Sequence, residues 1–250
     1  MNKKAVIGAI ALVLLVALGV YRRVHRNALP SEAEMATIMK EASGTAPIPS
    51  DDTPIRKAVR DSFKYLVDEE KSYEDEVSQR FRTKYMANLL HPYSFAVDSY
   101  RQGAVTELRA LRELDEKHMA AVERFPEVAR ANLIGAGIAE ADANAFAEGT
   151  KKGEGGGIHA FSQATELELK WIDALLHLYE FAEDNRGRIG MGNTTGELTF
   201  DDESTRAQFM ALAAKADDLA DQTKAAAVLD SAHRRSIHRM EFTARDVNKH

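Results

Sequence analysis

The residues whose types and spacing could do chemistry are carboxylates and histidines set within helical stripes. Glu70 lies between Leu66 and Tyr73, and Glu168 lies between Ala164 and Trp171, each in a run whose apolar residues recur every three or four positions. Asp115 stands three positions before His118, and Asp230 three before His233. Hard cations take carboxylate oxygens and imidazole adds a directional ligand, so such side chains meeting in a bundle core would suit a carboxylate-bridged metal site. The bland alternative puts Glu70, Asp115, His118 and Glu168 at the margin of each stripe, reaching solvent or a salt bridge.

The pattern resembles the di-iron helical bundles, which use a Glu from each of two helices and Glu-x-x-His from two others. It departs from them in carrying Asp at both x-x-His motifs, and the shorter side chain reaches less far toward a bundle axis. Axial level is the harder test. Glu70 and Asp115 lie at similar distances from the turn at Pro92 and can face each other. Glu168 and Asp230 differ by roughly 18 Å along their helices at about 1.5 Å per residue. Asp217 or Asp218 would be level with Glu168, without a histidine.

Other signals are weaker. Asp173 and His177, one helical turn apart, predict a hydrogen-bonded pair more readily than a metal site. His91 beside Pro92 belongs to a turn. Gly187 to Thr194 approaches a phosphate loop but has Asn193 where the lysine belongs, and it follows a helix rather than a strand. With no cysteine, thiol nucleophiles, disulfides and thiolate zinc sites are excluded. No Gly-x-Ser-x-Gly is present, so no catalytic residue and no cofactor is assigned.

The elements that must position these residues are helices. Ser31 and Glu34 form a capping-box pattern for a short helix ending near Gly44, and residues 44–54 are a Pro- and Ser-containing linker. Thr53-Pro54 opens a long helix whose stripe (Ile55, Val59, Phe63, Leu66, Tyr73, Val77) predicts a run to about Leu90. Ser94 then caps a second helix carrying Val97, Tyr100, Ala104, Leu108 and Leu111. Pro126 restarts the chain into an Ala- and Gly-rich helical insert over about 126–157. A third long helix spans Ile158 to Asp184, and residues 185–200 suit a loop or a small hairpin equally. Asp201 or Asp202 caps a fourth, with Phe209, Leu212, Ala216 and Leu219 on its stripe. The expected fold is all-α: an antiparallel up-down-up-down four-helix bundle over 54–242 with a short helical insert, and a basic tail over 243–250.

Ahead of the bundle, Ala5 to Tyr21 is an uninterrupted run of 17 residues without charge or proline, flanked by Lys3, Lys4, Arg22 and Arg23. A helix of that length just spans a thin hydrocarbon core. Tyr21, Arg22, Arg23 and Arg26 suit the interface, where apolar stems and polar ends are both accommodated. Residues 1–26 therefore read as a single transmembrane signal anchor, and 27–53 as a short helix plus linker. A cleaved signal ending at Ala17-Leu18-Gly19 is the competitor, opposed by the basic cluster directly after it. A four-residue leader favours a domain on the periplasmic or extracytoplasmic side.

The net charge of −6 conceals this segregation, since residues 1–30 contain five basic residues and no acid. The acidic body and the lack of an aromatic-interleaved basic stripe exclude nucleic acid as the expected partner. Arg234, Arg235 and Arg239, near the chain end, could meet anionic head groups beside the anchor, or could simply complement a helix dipole. The composite expectation is a membrane-anchored, non-enzymatic bundle whose partners are membrane lipid and a protein or second copy. The alternatives are a ligand-sensing or metal-binding bundle, and a secreted soluble protein.

Overall fold

A computed structural model of the chain describes residues 30, 32–152, 157–192 and 196–226. These are almost entirely α-helical, with one small antiparallel hairpin. Ala5 to Tyr21, the interface candidates Tyr21, Arg22, Arg23 and Arg26, and the basic Arg234, Arg235 and Arg239 all lie outside the described residues. Among the described residues, no helix is long and apolar enough to cross a membrane. The chain divides into two compact units, each assembled from stretches distant in sequence. Within the described residues the first holds the chain up to Tyr73 together with 117–163, and the second holds 74–116 and the chain from Ala164 onward.

The first unit begins with α1 (Glu32–Ala42). Gly44 ends it with φ +68°, a conformation that costs a glycine nothing. The Gly44 N–H then donates to the Glu41 carbonyl at 3.0 Å and the Thr45 N–H to the Lys40 carbonyl at 2.7 Å, the two bonds of a Schellman cap. Helix α2 (Pro54–Arg80) starts as expected, with Thr53 Oγ1 accepting from the Arg56 N–H at 3.2 Å and proline at a position where no donor is needed. Its buried stripe of Val59, Phe63 and Leu66 meets Met35, Ile38 and Met39 of α1 in one apolar core. Phe125, Ala129 and Leu133 of α6 (Phe125–Gly135) and Ala143 and Phe146 of α7 (Glu140–Lys152) complete that core. The stretch expected as an insert thus supplies core residues in Ala129, Leu133, Ala143 and Phe146, and just ahead of it Phe125 stacks on Phe63 at 6.2 Å.

Helix α2 stops ten residues short of the expected Leu90, at Arg80. The Thr83 hydroxyl accepts from the Met86 N–H at 3.3 Å and so opens a new turn, α3 (Lys84–Ala87), because threonine competes with the backbone for its own donors. A second break follows at His91, whose Nδ1 caps α4 (Pro92–Ala96). Ser94, expected as the cap of the next helix, is buried inside α4 and donates to the Asn88 carbonyl instead. Helix α5 (Asp98–Glu123) starts only after Val97, which is left 39% exposed rather than on the stripe.

In the second unit α8 (Gly157–Asp184) buries Trp171, Leu175, Leu178 and Tyr179. The glycine-rich stretch resolves as a hairpin, β1 (Ile189–Met191) pairing β2 (Leu198–Phe200) with Gly190 opposite Thr199. Phe95 stacks on Tyr179 at 4.8 Å and meets Phe209 edge-on at 5.2 Å, and Phe200 lies 5.4 Å from Phe209. Helix α9 (Glu203–Ala226) buries Phe209, Ala213, Ala216 and Ala220, so its seam is largely alanine, and the expected Leu212 and Leu219 are only half buried.

Asp202 caps α9, accepting from the Thr205 N–H at 2.8 Å and from its hydroxyl at 2.7 Å. The hydrogen bond from the Thr205 backbone, then that from its side chain, holds the Asp202 carboxyl below the ordinary aspartate value of 3.8. A depressed native value means stabilisation that is present above the unfolded value and lost as pH falls through the native one. Asp202→Asn keeps an acceptor but cannot titrate. The fall in urea midpoint between about pH 7 and about pH 3 should therefore be smaller in the variant than in the parent. Equal falls in both proteins would refute the cap's titration.

Candidate functional site

The polar candidates sit inside the helical seams, not beside them. Along α5 the buried positions Arg101, Ala104, Leu108, Leu111, Asp115 and His118 alternate in steps of three and four, the spacing of a packing seam. Asp115 and Glu168 have no exposed surface and His118 only 3%, so these side chains do not reach solvent. Sequence periodicity placed each acid near the seam; only packing shows that the seam passes through it.

In the first unit the structure brings Glu70 and His118 together. Glu70 projects from α2 with its side chain 17% exposed, and its Oε2 lies 3.2 Å from His118 Nε2. Tyr73, one turn along α2, stacks on the imidazole with ring centroids 4.1 Å apart and planes 9° from parallel. Nearby, the Tyr65 hydroxyl donates to the Ala121 carbonyl at 2.9 Å and fixes α2 against this end of α5. A carboxylate beside an imidazole can orient a general base or hold a metal ligand's second nitrogen. Asp115 and Glu168 belong to the second unit. Among the described residues no group of three or more His, Asp or Glu has metal-holding geometry. Asp230 and His233 lie outside the described residues.

The Asp173–His177 pair does not form. Asp173 accepts from Arg112 Nε at 2.9 Å across from α5, and His177 is exposed. A guanidinium offers a planar fork that an imidazole cannot match, and Arg112 also reaches Glu116 at 2.7 Å. Ile189–Met191 of the glycine-rich stretch is a hairpin strand rather than a loop leading into a helix, the setting a phosphate loop requires.

Two charge networks were not anticipated. In the first unit Arg56 and Arg60 of α2 face Glu41 of α1 and Asp52 of the linker. Arg56 Nη2 lies 2.5 Å from Glu41 Oε1, Arg60 Nη1 lies 3.6 Å from Glu41 Oε2, and Arg60 Nη2 donates to Asp52. The hydrogen bond that Arg60 donates to Asp52 raises the Arg60 pKa further, so the guanidinium stays charged though buried. In the second unit Arg101, 1% exposed, donates from Nε to Glu183 at 2.5 Å, from Nη1 to the Phe95 carbonyl at 2.7 Å, and from Nη2 to Asp98. Only the Asp98–Arg101 and Asp52–Arg56 pairs, at i, i+3 and i, i+4, are close enough in sequence for their spacing to show.

These contacts describe an all-α protein whose buried charges tie helices together. No protein-family model, no curated protein and no solved structure matches the chain.

Proposed function

We propose that this chain is a membrane-anchored, non-enzymatic helical protein that acts through protein contacts, as a scaffold, assembly or accessory subunit. The observation that carries the reading is the 17-residue charge-free run from Ala5 to Tyr21 between basic flanks. Such a run is stable in hydrocarbon and has no comparable use in a water-facing surface. The engagement of Arg56, Arg60, Arg101 and Arg112 in ion pairs that join separate elements supports a structural rather than a catalytic use of charge. The up-down-up-down bundle belongs to the same proposal, supported by the lengths of α2, α5, α8 and α9 at 27, 26, 28 and 24 residues. The body lies on the extracytoplasmic side, and its partners are lipid together with another protein or a second copy. Arg234, Arg235 and Arg239 add attraction to anionic head groups of about 1 kcal/mol each.

Fractionation tests the anchor. The full chain should stay with membranes through alkaline carbonate and leave only with detergent, and a chain lacking residues 1–26 should be released. Recovery of the full chain in the carbonate supernatant, or a mature chain starting near Val20, would sink the reading. A periplasmic-only reporter fused after His250 should be active; inactivity there would reverse the orientation.

A metal-binding reading keeps one observation in its favour, the Glu70–His118 contact at 3.2 Å. Elemental analysis of protein purified without chelator should then show stoichiometric transition metal that is lost in Glu70→Ala. Protein free of metal would end that reading.

A further inference from the structure

A cluster of aromatic side chains on the second unit stands apart from every ion pair described above. Tyr85 of α3, Tyr93 of α4 and Tyr100 of α5 are each half buried, and His91 lies against the group with its ring 4.0 Å from Tyr93. Tyr85 and Tyr100 are 5.9 Å apart with planes at 75°, and Tyr93 and Tyr100 are 4.6 Å apart at 70°. Tyr100 thus meets each of the other two rings edge to face, and the Tyr85 and Tyr100 rings form a corner. Gly103 makes this possible, because a Cβ there would stand 2.4 Å from the Tyr85 ring.

The corner already holds a cation. The Lys84 ammonium lies 5.0 Å from the Tyr85 centroid and 5.3 Å from that of Tyr100, inside the range in which a ring quadrupole attracts positive charge. Lys84 is exposed and makes no ion pair among the described residues, so no carboxylate accounts for its position. A primary ammonium is compact and strongly hydrated, and it gives up water reluctantly to reach a ring face. A quaternary ammonium spreads its charge over methyl groups, and aromatic corners of this kind recognise it for that reason.

We propose that Tyr85 and Tyr100, with Tyr93 packed against Tyr100, form a binding site for a quaternary ammonium group of the choline type, with Lys84 as its internal competitor. Removal of Lys84 should therefore strengthen binding. Loss of the Tyr100 ring, which faces both other tyrosines, should abolish it. This site is independent of the scaffold reading and would stand if that reading fell.

The test uses the full chain in a maltoside detergent, with tyrosine rings isotopically labelled and observed by NMR while tetramethylammonium chloride or choline chloride is added. Saturable shifts of the three ring signals are expected, absent with sodium chloride at equal ionic strength. Lys84→Ala should lower the apparent Kd roughly tenfold, the size of a displaced cation–π contact. Tyr100→Phe should bind like the parent and Tyr100→Leu should not. Gly103→Ala should weaken binding by displacing Tyr85. Phosphatidylcholine vesicles against phosphatidylglycerol vesicles separate the sources: shifts with free choline identify a soluble ligand, and shifts only with phosphatidylcholine identify a lipid head group. No saturable shift in either the parent or Lys84→Ala overturns the proposal, as does undiminished binding in a folded Tyr100→Leu protein.

Discussion

Arg101→Met should destabilise the second unit by about 3 kcal/mol, measured as a fall in the urea unfolding free energy. Methionine keeps much of the volume of this 1%-exposed side chain, so the loss is not chiefly a cavity. It comes from the hydrogen bonds. The Phe95 carbonyl, held at 2.7 Å, loses its donor in the interior, which costs about 1–3 kcal/mol. Glu183 and Asp98 also lose Arg101, but Glu183 keeps Arg186 at 3.5 Å, and with side chains 43% and 63% exposed both recover water, which keeps the total below that of a fully buried broken pair. Arg101→Lys should fall between, because a single ammonium cannot reproduce three divergent N–H bonds. Unchanged stability in Arg101→Met would show that the network contributes nothing net.

Glu41→Ala should be of similar size, about 3 kcal/mol, but local in its first consequence. The Glu41 side chain is 2% exposed and faces both Arg56 and Arg60, whose side chains are 20% and 8% exposed. Removing it strands two guanidinium groups with only Asp52 between them, and Arg60 has little access to water. Because Glu41 is on α1 and Asp52 is in the linker, loosening the network should expose residues 43–53 to proteolysis before the unit as a whole unfolds. Limited proteolysis followed by mass spectrometry reads this directly. Adding Arg56→Ala to Glu41→Ala should restore part of the loss, since one uncompensated charge is then removed. If the linker stays as protected in Glu41→Ala as in the parent, the network does not hold α1 in place.

Several helix ends were legible where a cap and a period agreed, though Ser94, read in the same way, lies inside a helix. Thr53-Pro54 and Asp202 mark helix starts because each places an oxygen where unpaired N–H groups need one, and Gly44 marks an end because φ +68° is open to glycine. The end of α2 was not legible. Phe81 continues the apolar period, and the competing Thr83 cap has no periodic signature. The seam of α9 was read in part: Phe209 and Ala216 are buried as expected, but periodicity also weights Leu212 and Leu219 where close packing selects Ala213 and Ala220.

What the sequence by itself determined about this protein is its mainly helical character, several of its helix starts, and a charge-free run of 17 residues from Ala5 to Tyr21. Those are local properties, set by capping, period and hydrophobicity within a few turns of chain. Only the tertiary structure decided that Asp115, His118 and Glu168 are buried, that Glu70 reaches His118, that Asp173 takes Arg112 rather than His177, and that Tyr85 and Tyr100 both lie beside the Lys84 ammonium. Each depends on which faces of helices distant in sequence are pressed together. A period of three and four names a helix face but not the side chain that will be opposite it.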